Sequence, residues 1–261
     1  MTERQWNCFT EYREALKNLC EEWNEMSGEL FPLQKEACKK DTPDYNLETA
    51  VVYNTAYDDI AKSDEIHYIV IGDNPGKDEQ KVINRKYLVG QSGKIAQGFF
   101  RKNPELDTDF RKNVIISNKT PLHTAKTKHL KFLEKEGSEK VRNLILESQT
   151  KLAEMTAVLH QGLIDGMEEG SFRPELWLVG YAELKNRGIF VPYREALKAA
   201  YMEGDCAKDS WNSVKVYQHF SMNRFTIDLK DYRTLEQNKA KDLKTSLDEL
   251  GTLHRKEIFS L

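Results

Sequence analysis

Apolar residues recur at helical spacing near the start of the chain, and residues 2 to 25 are predicted to form an amphipathic helix. Thr2 and Gln5 occupy the positions of a capping box at its beginning. The next segment, residues 26 to 46, contains a glycine, two prolines and mixed polar residues, so it is predicted to be a connector. Residues 47 to 61 are predicted to be helical again.

Four short apolar runs, rich in β-branched residues, are predicted to be strands. They are IHYIVI (66–71), NVIIS (113–117), LWLV (176–179) and VKVY (214–217). Helical patterns lie between and after them, at about 91–100, 138–166, 192–204 and 234–257. Short apolar strands that alternate with helices indicate a parallel sheet covered on both faces. The sequence therefore predicts an α/β fold with a four-stranded parallel sheet flanked by helices, and extra N-terminal and C-terminal helices.

The pattern contains no internal repeat, no low-complexity tract and no domain linker. A chain of 261 residues is long enough to bury a substantial core. We therefore expect residues 1–261 to form a single domain.

Composition and charge describe an ordinary water-soluble protein, with 39% hydrophobic and 31% charged residues and a net charge of −3. A non-specific nucleic-acid coat protein would be basic, so the bulk charge argues mildly against DNA binding, but a local basic path is compatible with it. No apolar run approaches the length of a membrane span, and the first residues do not resemble an export signal. We expect a cytoplasmic monomer with no membrane contact.

The four cysteines stand at positions 8, 20, 38 and 206, with no C-x-x-C pair. Their spacing matches neither a zinc site nor an iron–sulfur cluster. We therefore predict reduced structural thiols, no metal and no cofactor.

Polar side chains follow three of the predicted strands, at the point where each strand ends. Asp73 and Asn74 follow the first strand, Asn118 the second and His219 the fourth. Parallel strands end at one rim of a sheet, and that rim is where ligands bind in open α/β folds. The sequence GDNPGK at positions 72–77 is not a nucleotide-binding loop, because its glycine spacing is one residue short and no Ser or Thr follows the lysine.

These motifs resemble those of the uracil-DNA glycosylase superfamily. Residues 72–76 are similar to the G-x-N-P-G motif of its mismatch-specific and single-strand-selective branches, and residues 118–122 to the N-x-x-P-L of the single-strand-selective branch. Residues 219–221 resemble the H-P-S of the last motif, with Phe220 in place of the proline. The resemblance covers residues 66–226. It implies a four-stranded parallel α/β fold and a metal-independent, monofunctional enzyme that excises uracil or a related damaged base from DNA.

The residues at the rim suit the three tasks of such an enzyme. Asn118 can donate to and accept from the edge of uracil. His219 can donate to O2 of the departing base, and Asn74 can hold the attacking water. Asp73 is an alternative for the last task, although its side chain could equally form a turn with the following backbone. Gly72 and Gly76 complete the substrate-binding motif.

The same resemblance suggests where the base and the DNA backbone would lie. Tyr87 is the nearest aromatic residue that could stack on a flipped base. The basic run from 119 to 131 predicts a phosphate path through Lys119, Lys126 and Lys128, although a charge run taken alone is more often a solvated surface. After the last motif, Ser221 and Arg224 are predicted to contact DNA. Phe220, Met222 or Arg224 could fill the gap left by the base.

Two other functions fit the sequence. One is a protein of the same fold that binds nucleic acid or a nucleobase compound without excising a base, which the acidic net charge and the missing proline favour. The other is a hydrolase of free nucleosides or nucleotides.

Overall fold

The computed structural model describes residues 1–204 and 208–260 of the chain. Cys206, one of the predicted thiols, lies outside the described residues. Cys8, Cys20 and Cys38 are free cysteines, and burial raises the pKa of the Cys8 thiol to about 11.

The centre of the fold is the predicted four-stranded parallel sheet. Its spatial order is β2-β1-β3-β4, with every neighbouring pair parallel. The α/β prediction is thus confirmed. The strands are β1 (Tyr68–Gly72), β2 (Val114–Asn118), β3 (Glu175–Val179) and β4 (Val214–Tyr217).

Helices cover both faces of this sheet. In chain order they are α1 (Glu3–Asn24), α2 (Ser27–Cys38), α3 (Gln91–Lys102), α4 (His129–Glu136), α5 (Glu139–Asp165), α6 (Val191–Met202), α7 (Lys208–Trp211), α8 (Arg224–Thr234) and α9 (Leu243–Phe259). Short 3₁₀ turns lie at Thr55–Asp59, Pro104–Leu106, Tyr181–Leu184, Ser221–Asn223 and Glu236–Asn238.

The alternation of side chains along β1 divides the core into two layers. Ile69 and Ile71 pack on the first face, with residues of α1, α5 and α6. Tyr68 and Val70 pack on the second face, with residues of α3, α8 and α9. Both faces of the strand are therefore buried, as expected for a parallel sheet between helical layers.

The predicted connector at 26–46 is wrong in its first half, which forms α2 despite Pro32. Leu30, Gln34 and Cys38 are buried at four-residue spacing, and the Gln34 amide donates to the carbonyls of Ala50 and His123. Packing against the rest of the fold therefore outweighs the unfavourable proline.

The predicted helix at 47–61 is also wrong. Val51 forms an antiparallel bridge with Leu122, and the backbone of Val52 donates to Pro121. This segment thus pairs with the chain that leaves β2, and only Thr55–Asp59 turns as a 3₁₀ helix. The predicted C-terminal helix 234–257 is α9, which begins later, at Leu243.

Candidate functional site

The sheet order places a topological switch between β1 and β3. The chain moves from β1 outward to β2 and then returns to β3 on the other side of β1. A crevice forms beyond the strand ends at such a switch, and ligands bind there in this class of fold. Asp73 follows β1 at this point, and Gly180 follows β3.

Gly72 and Asn118 are register partners at the last positions of β1 and β2. A Cβ atom at Gly72 would lie 2.4 Å from Oδ1 of Asn118. The glycine is therefore required for the Asn118 carboxamide to lie against the end of β1.

Asn118 is buried, and its Nδ2 atom has no hydrogen-bond partner among the described residues. A buried donor without an acceptor costs about 1–3 kcal/mol, and such groups in folded proteins call for a specific explanation. Asn118 thus carries an unused hydrogen-bond donor at the end of β2.

Lys119 is the most unexpected feature of the site. Its side chain is 0% exposed, and Nζ donates to Oδ1 of Asp73 (2.8 Å), to the carbonyl of Gly72 (3.1 Å) and to that of Val179 (2.6 Å). An ammonium has three donors, and all three are occupied. The prediction that Lys119 contacts a DNA phosphate is therefore wrong, because the side chain turns inward and bridges β1 and β3.

The environment of Lys119 has opposing effects on its charge. Burial lowers the pKa of the ammonium, while the Asp73 carboxylate raises it. Nζ also lies 4.9 Å from the centre of the Phe190 ring, a favourable cation–π distance.

The Asp73 carboxylate is held from several sides. Oδ1 accepts from Lys119, and Oδ2 accepts from the hydroxyl of Thr127 at 3.3 Å. Gly180 has φ +105°, and a Cβ there would lie 2.2 Å from Oδ1 of Asp73. The alternative that Asp73 forms a local turn is not what the structure contains, since its oxygens bind two side chains from the chain after β2.

Asn74 is half-buried and is oriented by its amide nitrogen. Nδ2 donates to the hydroxyl of Thr124 (2.9 Å) and to the carbonyls of Leu122 (3.2 Å) and Pro75 (3.4 Å). Carbonyl oxygens can only accept, so this orientation of the amide is dictated by its partners. In the described part of the chain Oδ1 has no protein donor, and it is left to accept from a ligand or water.

The turn at Asn74–Gly76 is anchored by two buried titratable groups. His123 donates from Nδ1 to the carbonyl of Pro75 (2.8 Å), and its Nε2 accepts from Tyr45 (3.1 Å). Burial lowers the pKa of His123 to about 4. The backbone N–H of Gly76 donates to the carboxyl of Glu79, whose pKa is raised to about 7 by burial.

His219 has a defined tautomer. Its Nδ1 accepts from the backbone N–H of Ser221 at 3.0 Å and also contacts the Ser221 hydroxyl at 2.8 Å. A neutral ring that accepts at Nδ1 carries its proton on Nε2. Burial lowers the pKa of His219, the Asp73 charge raises it, and the Lys119 charge lowers it further. The ring is therefore a neutral Nε2–H donor close to the Asp73–Lys119 pair.

The loop after His219 contains the three residues predicted to fill the gap left by a flipped base, and these residues differ in their exposure. Phe220 is fully buried among the apolar residues of the second face, so that role for Phe220 is wrong. Met222 is 74% exposed and has a left-handed backbone conformation, with φ +52°. Arg224 is exposed at the start of α8.

Tyr87 has no open face for a stacked base. Its ring is 1% exposed within the second-face core, and its hydroxyl donates to the carbonyl of Val52 at 2.5 Å. The stacking role predicted for Tyr87 is therefore wrong, because its ring is packed in the core and no face is open to a base.

The other lysines of the basic run remain at the surface. Lys126 and Lys128 pair with Asp41 at 3.1 and 2.6 Å, and their side chains are exposed. The two ammonium groups hold the pKa of Asp41 well below its usual range. Their predicted contact with phosphate stays a prediction.

Sequence reasoning missed Thr124, Thr127, His123 and Gly180 as parts of the site. Gly180 carried one usable signal, since it follows a predicted strand at the same rim. The two threonines bond to side chains, and His123 to a backbone carbonyl, that lie more than forty residues away in sequence on the turn after β1.

A scan of known protein families, a search of curated proteins and a search of solved structures found no match to this chain. Within residues 1–204 and 208–260, no group of three or more His, Cys, Asp or Glu side chains is placed to hold a metal ion. No helix in those ranges combines the length and the apolar character needed to cross a bilayer.

Proposed function

We propose that the protein is a monofunctional, metal-independent DNA glycosylase that hydrolyses the N-glycosidic bond of uracil or a related damaged base. The observation that carries this proposal is a set of three unused hydrogen-bonding groups at one rim of the sheet. They are Nδ2 of Asn118, Nε2–H of His219 and Oδ1 of Asn74.

Asn118 would read the base. Its buried donor lacks a partner, and a uracil O4 would supply the missing acceptor while the N3–H donates to Oδ1. Gly72 would keep this amide in place, since any side chain there would displace it. A base whose edge presents a donor in place of O4 would leave Nδ2 unpaired.

His219 would stabilise the departing base. A neutral imidazole that donates from Nε2 matches the negative charge that grows on uracil O2 as the bond breaks. The lowered pKa keeps the ring neutral near pH 7, and the Ser221 backbone N–H keeps the proton on Nε2.

Asn74 would hold the attacking water through Oδ1, since three protein acceptors share the two N–H groups of its amide. Both oxygens of Asp73 are engaged by Lys119 and Thr127. The carboxylate would therefore act through its charge, stabilising positive charge on the sugar, while Asn74 orients the water.

The state of Lys119 supports a monofunctional reaction. A glycosylase that also cuts the strand uses an amine as a nucleophile, which requires a free lone pair on nitrogen. Here all three protons of the Lys119 ammonium are donated to acceptors, and the group is fully buried.

The test is release of uracil from a labelled single-stranded oligonucleotide. We expect His219→Ala to reduce the rate by about 10²–10³, as for loss of one charge-stabilising donor, with similar or larger losses for Asn118→Ala and Asn74→Ala. Asn143→Ala, on the exposed surface of α5, is the control and should retain the wild-type rate. Wild-type rates in all three rim variants would overturn the proposal.

Two comparisons separate the other functions. If free deoxyuridine is hydrolysed at the same rate as the oligonucleotide, the protein is a nucleoside hydrolase. Binding of uracil-containing strands with no release over long incubation would indicate a binding protein of the same fold.

A further inference from the structure

We propose that a groove between α3 and α8 binds the phosphate backbone of a single nucleic-acid strand that leads away from the candidate site. The groove has a volume of about 710 Å³ and begins beside Gln91 and Asn223. This inference rests on the proposed function, because it gives the path of the strand whose base would enter the site.

Positive charge lines both walls of the groove. No aspartate or glutamate belongs to its lining in the described residues. The basic residues are Lys94, Arg101 and Lys102 on α3, Lys230 and Arg233 on α8, and Lys239 just beyond α8.

Few of these cations form a direct ion pair within the protein, although Arg233 acts electrostatically on Asp242 and Lys94 on Asp78. Among the described residues, Lys239 has an ion pair, with Glu236, and the other five lining cations have no carboxylate within 4.0 Å. On α8, Asp228 lies 3.8 Å from His254 of α9, away from the groove. In a chain of net charge −3, a six-cation groove is a local concentration of positive charge suited to a polyanion.

The floor of the groove is apolar. Ile95 and Phe99 of α3 face Leu229 of α8 and Leu243 of α9 along its length. Cationic walls over an apolar floor match a strand that presents phosphates outward and bases inward, the arrangement used by single-strand-binding grooves.

The position of the groove favours a nucleic-acid strand over an acidic peptide. Asn223 ends the loop that carries His219, and it also lines the groove. A strand with its base at His219 would therefore enter this groove directly. The α3 wall, Gln91–Lys102, is about 18 Å long at the α-helical rise, which corresponds to about five nucleotides at the 3.4 Å spacing of a stacked strand.

The size of the groove indicates one strand. A volume near 710 Å³ lies within the range of small-molecule pockets, so the groove would enclose only part of a strand of about five nucleotides. A duplex would cover such a groove without entering it, whereas a single strand can lie along its floor.

The test is fluorescence anisotropy with a labelled, uracil-free single-stranded oligonucleotide. The groove variant Lys102→Glu/Lys230→Glu changes one residue on each wall. The matched control, Lys140→Glu/Lys151→Glu, makes the same charge change on exposed positions of α5, on the other face of the sheet. Thermal unfolding checks that both variants fold.

We expect the groove variant to bind the oligonucleotide at least about tenfold more weakly at low salt. The slope of log K against log salt should fall in magnitude by about 1.4, because two phosphate contacts are lost and each contributes about 0.7. The affinity of the control variant for the oligonucleotide should stay within about twofold of that of the wild type. An equal loss in both variants, or no loss in the groove variant, would overturn the proposal. Tighter binding of a glutamate-rich peptide than of the oligonucleotide would also overturn it.

The experiment is independent of base release. A strand without uracil contains no base to excise. Its binding is therefore measured separately from catalysis, and failure of the groove proposal can be distinguished from failure of the proposed function.

Discussion

The Nζ atom of Lys119 lies 2.8 Å from Oδ1 of Asp73, and the ammonium is completely buried. Asp73 immediately follows β1 and Lys119 immediately follows β2, yet Nζ also reaches the end of β3 through the carbonyl of Val179. One side chain thus joins three strand ends at the topological switch. Its role is to position the Asp73 carboxylate and the rim of the sheet.

The first prediction concerns the stability of this pair. Lys119→Met should lower the free energy of unfolding by about 3–5 kcal/mol, because removing one partner leaves an uncompensated, mostly buried carboxylate. Urea unfolding measures the change. The double variant Lys119→Met/Asp73→Asn removes both charges and should recover part of the loss. A loss below about 1 kcal/mol in the single variant would contradict the burial of the pair.

The second prediction uses two glycines with left-handed backbone conformations. Gly180→Ala should be more destabilising than Gly170→Ala, because a Cβ at 180 meets Oδ1 of Asp73 at 2.2 Å while one at 170 meets no atom within 4 Å. The strain of the left-handed conformation, about 1–3 kcal/mol, is common to both. Their difference in thermal unfolding therefore reports the clash with Asp73, and equal losses would show that the carboxylate lies elsewhere.

The strands were predictable because each is a short apolar run with β-branched residues and both of its faces are buried. The α2 helix was not, since Pro32 and Gly28 are unfavourable in a helix. The segment is helical because its buried face packs on the rest of the fold and Gln34 donates to distant carbonyls. The same holds for the extended segment at Val51, which depends on pairing with Leu122.

The rim of the candidate site was predictable in part. Asn74, Asn118 and His219 follow strands, and parallel strands end at one edge of the sheet. The role of Lys119 was not predictable, because in sequence it belongs to a run of exposed basic residues, and only the fold turns it inward. Its neighbours Lys126 and Lys128 in the same run remain at the surface.

The third prediction follows from the unpaired amide of Asn118. Asn118→Leu should raise the free energy of unfolding by about 1 kcal/mol, since it replaces a buried, unsatisfied donor with an apolar group of similar size. Asn54→Leu is the control. Asn54 is equally buried, but it donates to Ile116 and accepts from Ala56 and Tyr87, so its loss should destabilise the fold. Equal destabilisation in both variants would mean that Asn118 has a partner in the free protein.

The fourth prediction is a pH dependence from Glu79. Burial raises the pKa of Glu79 to about 7 in the folded state, above an unfolded value near 4.5. The folded state therefore binds more protons between these values, and stability is lost as pH rises through this window. Glu79→Gln should remove about 3 kcal/mol of that loss between pH 4.5 and 8. Glu105→Gln is the control, since it removes a carboxylate at an exposed position.

The fifth prediction concerns His123, which anchors the same turn, and here stability changes with pH in the opposite direction. Burial lowers the pKa of His123 to about 4, below an unfolded value near 6.5. The unfolded state therefore binds more protons between pH 4 and 6.5, so the contribution of His123 is complete above 6.5 and is lost as pH falls. His123→Asn keeps a donor for the Pro75 carbonyl and should remove about 3 kcal/mol of this acid dependence. His160, which is also buried with a pKa near 4, and His129 and His219, whose pKa values are lowered by burial, keep their own contributions, so part of the histidine-dependent slope should remain. Urea unfolding at a series of pH values measures both, and an unchanged slope in His123→Asn would mean that His123 is protonated in the folded protein.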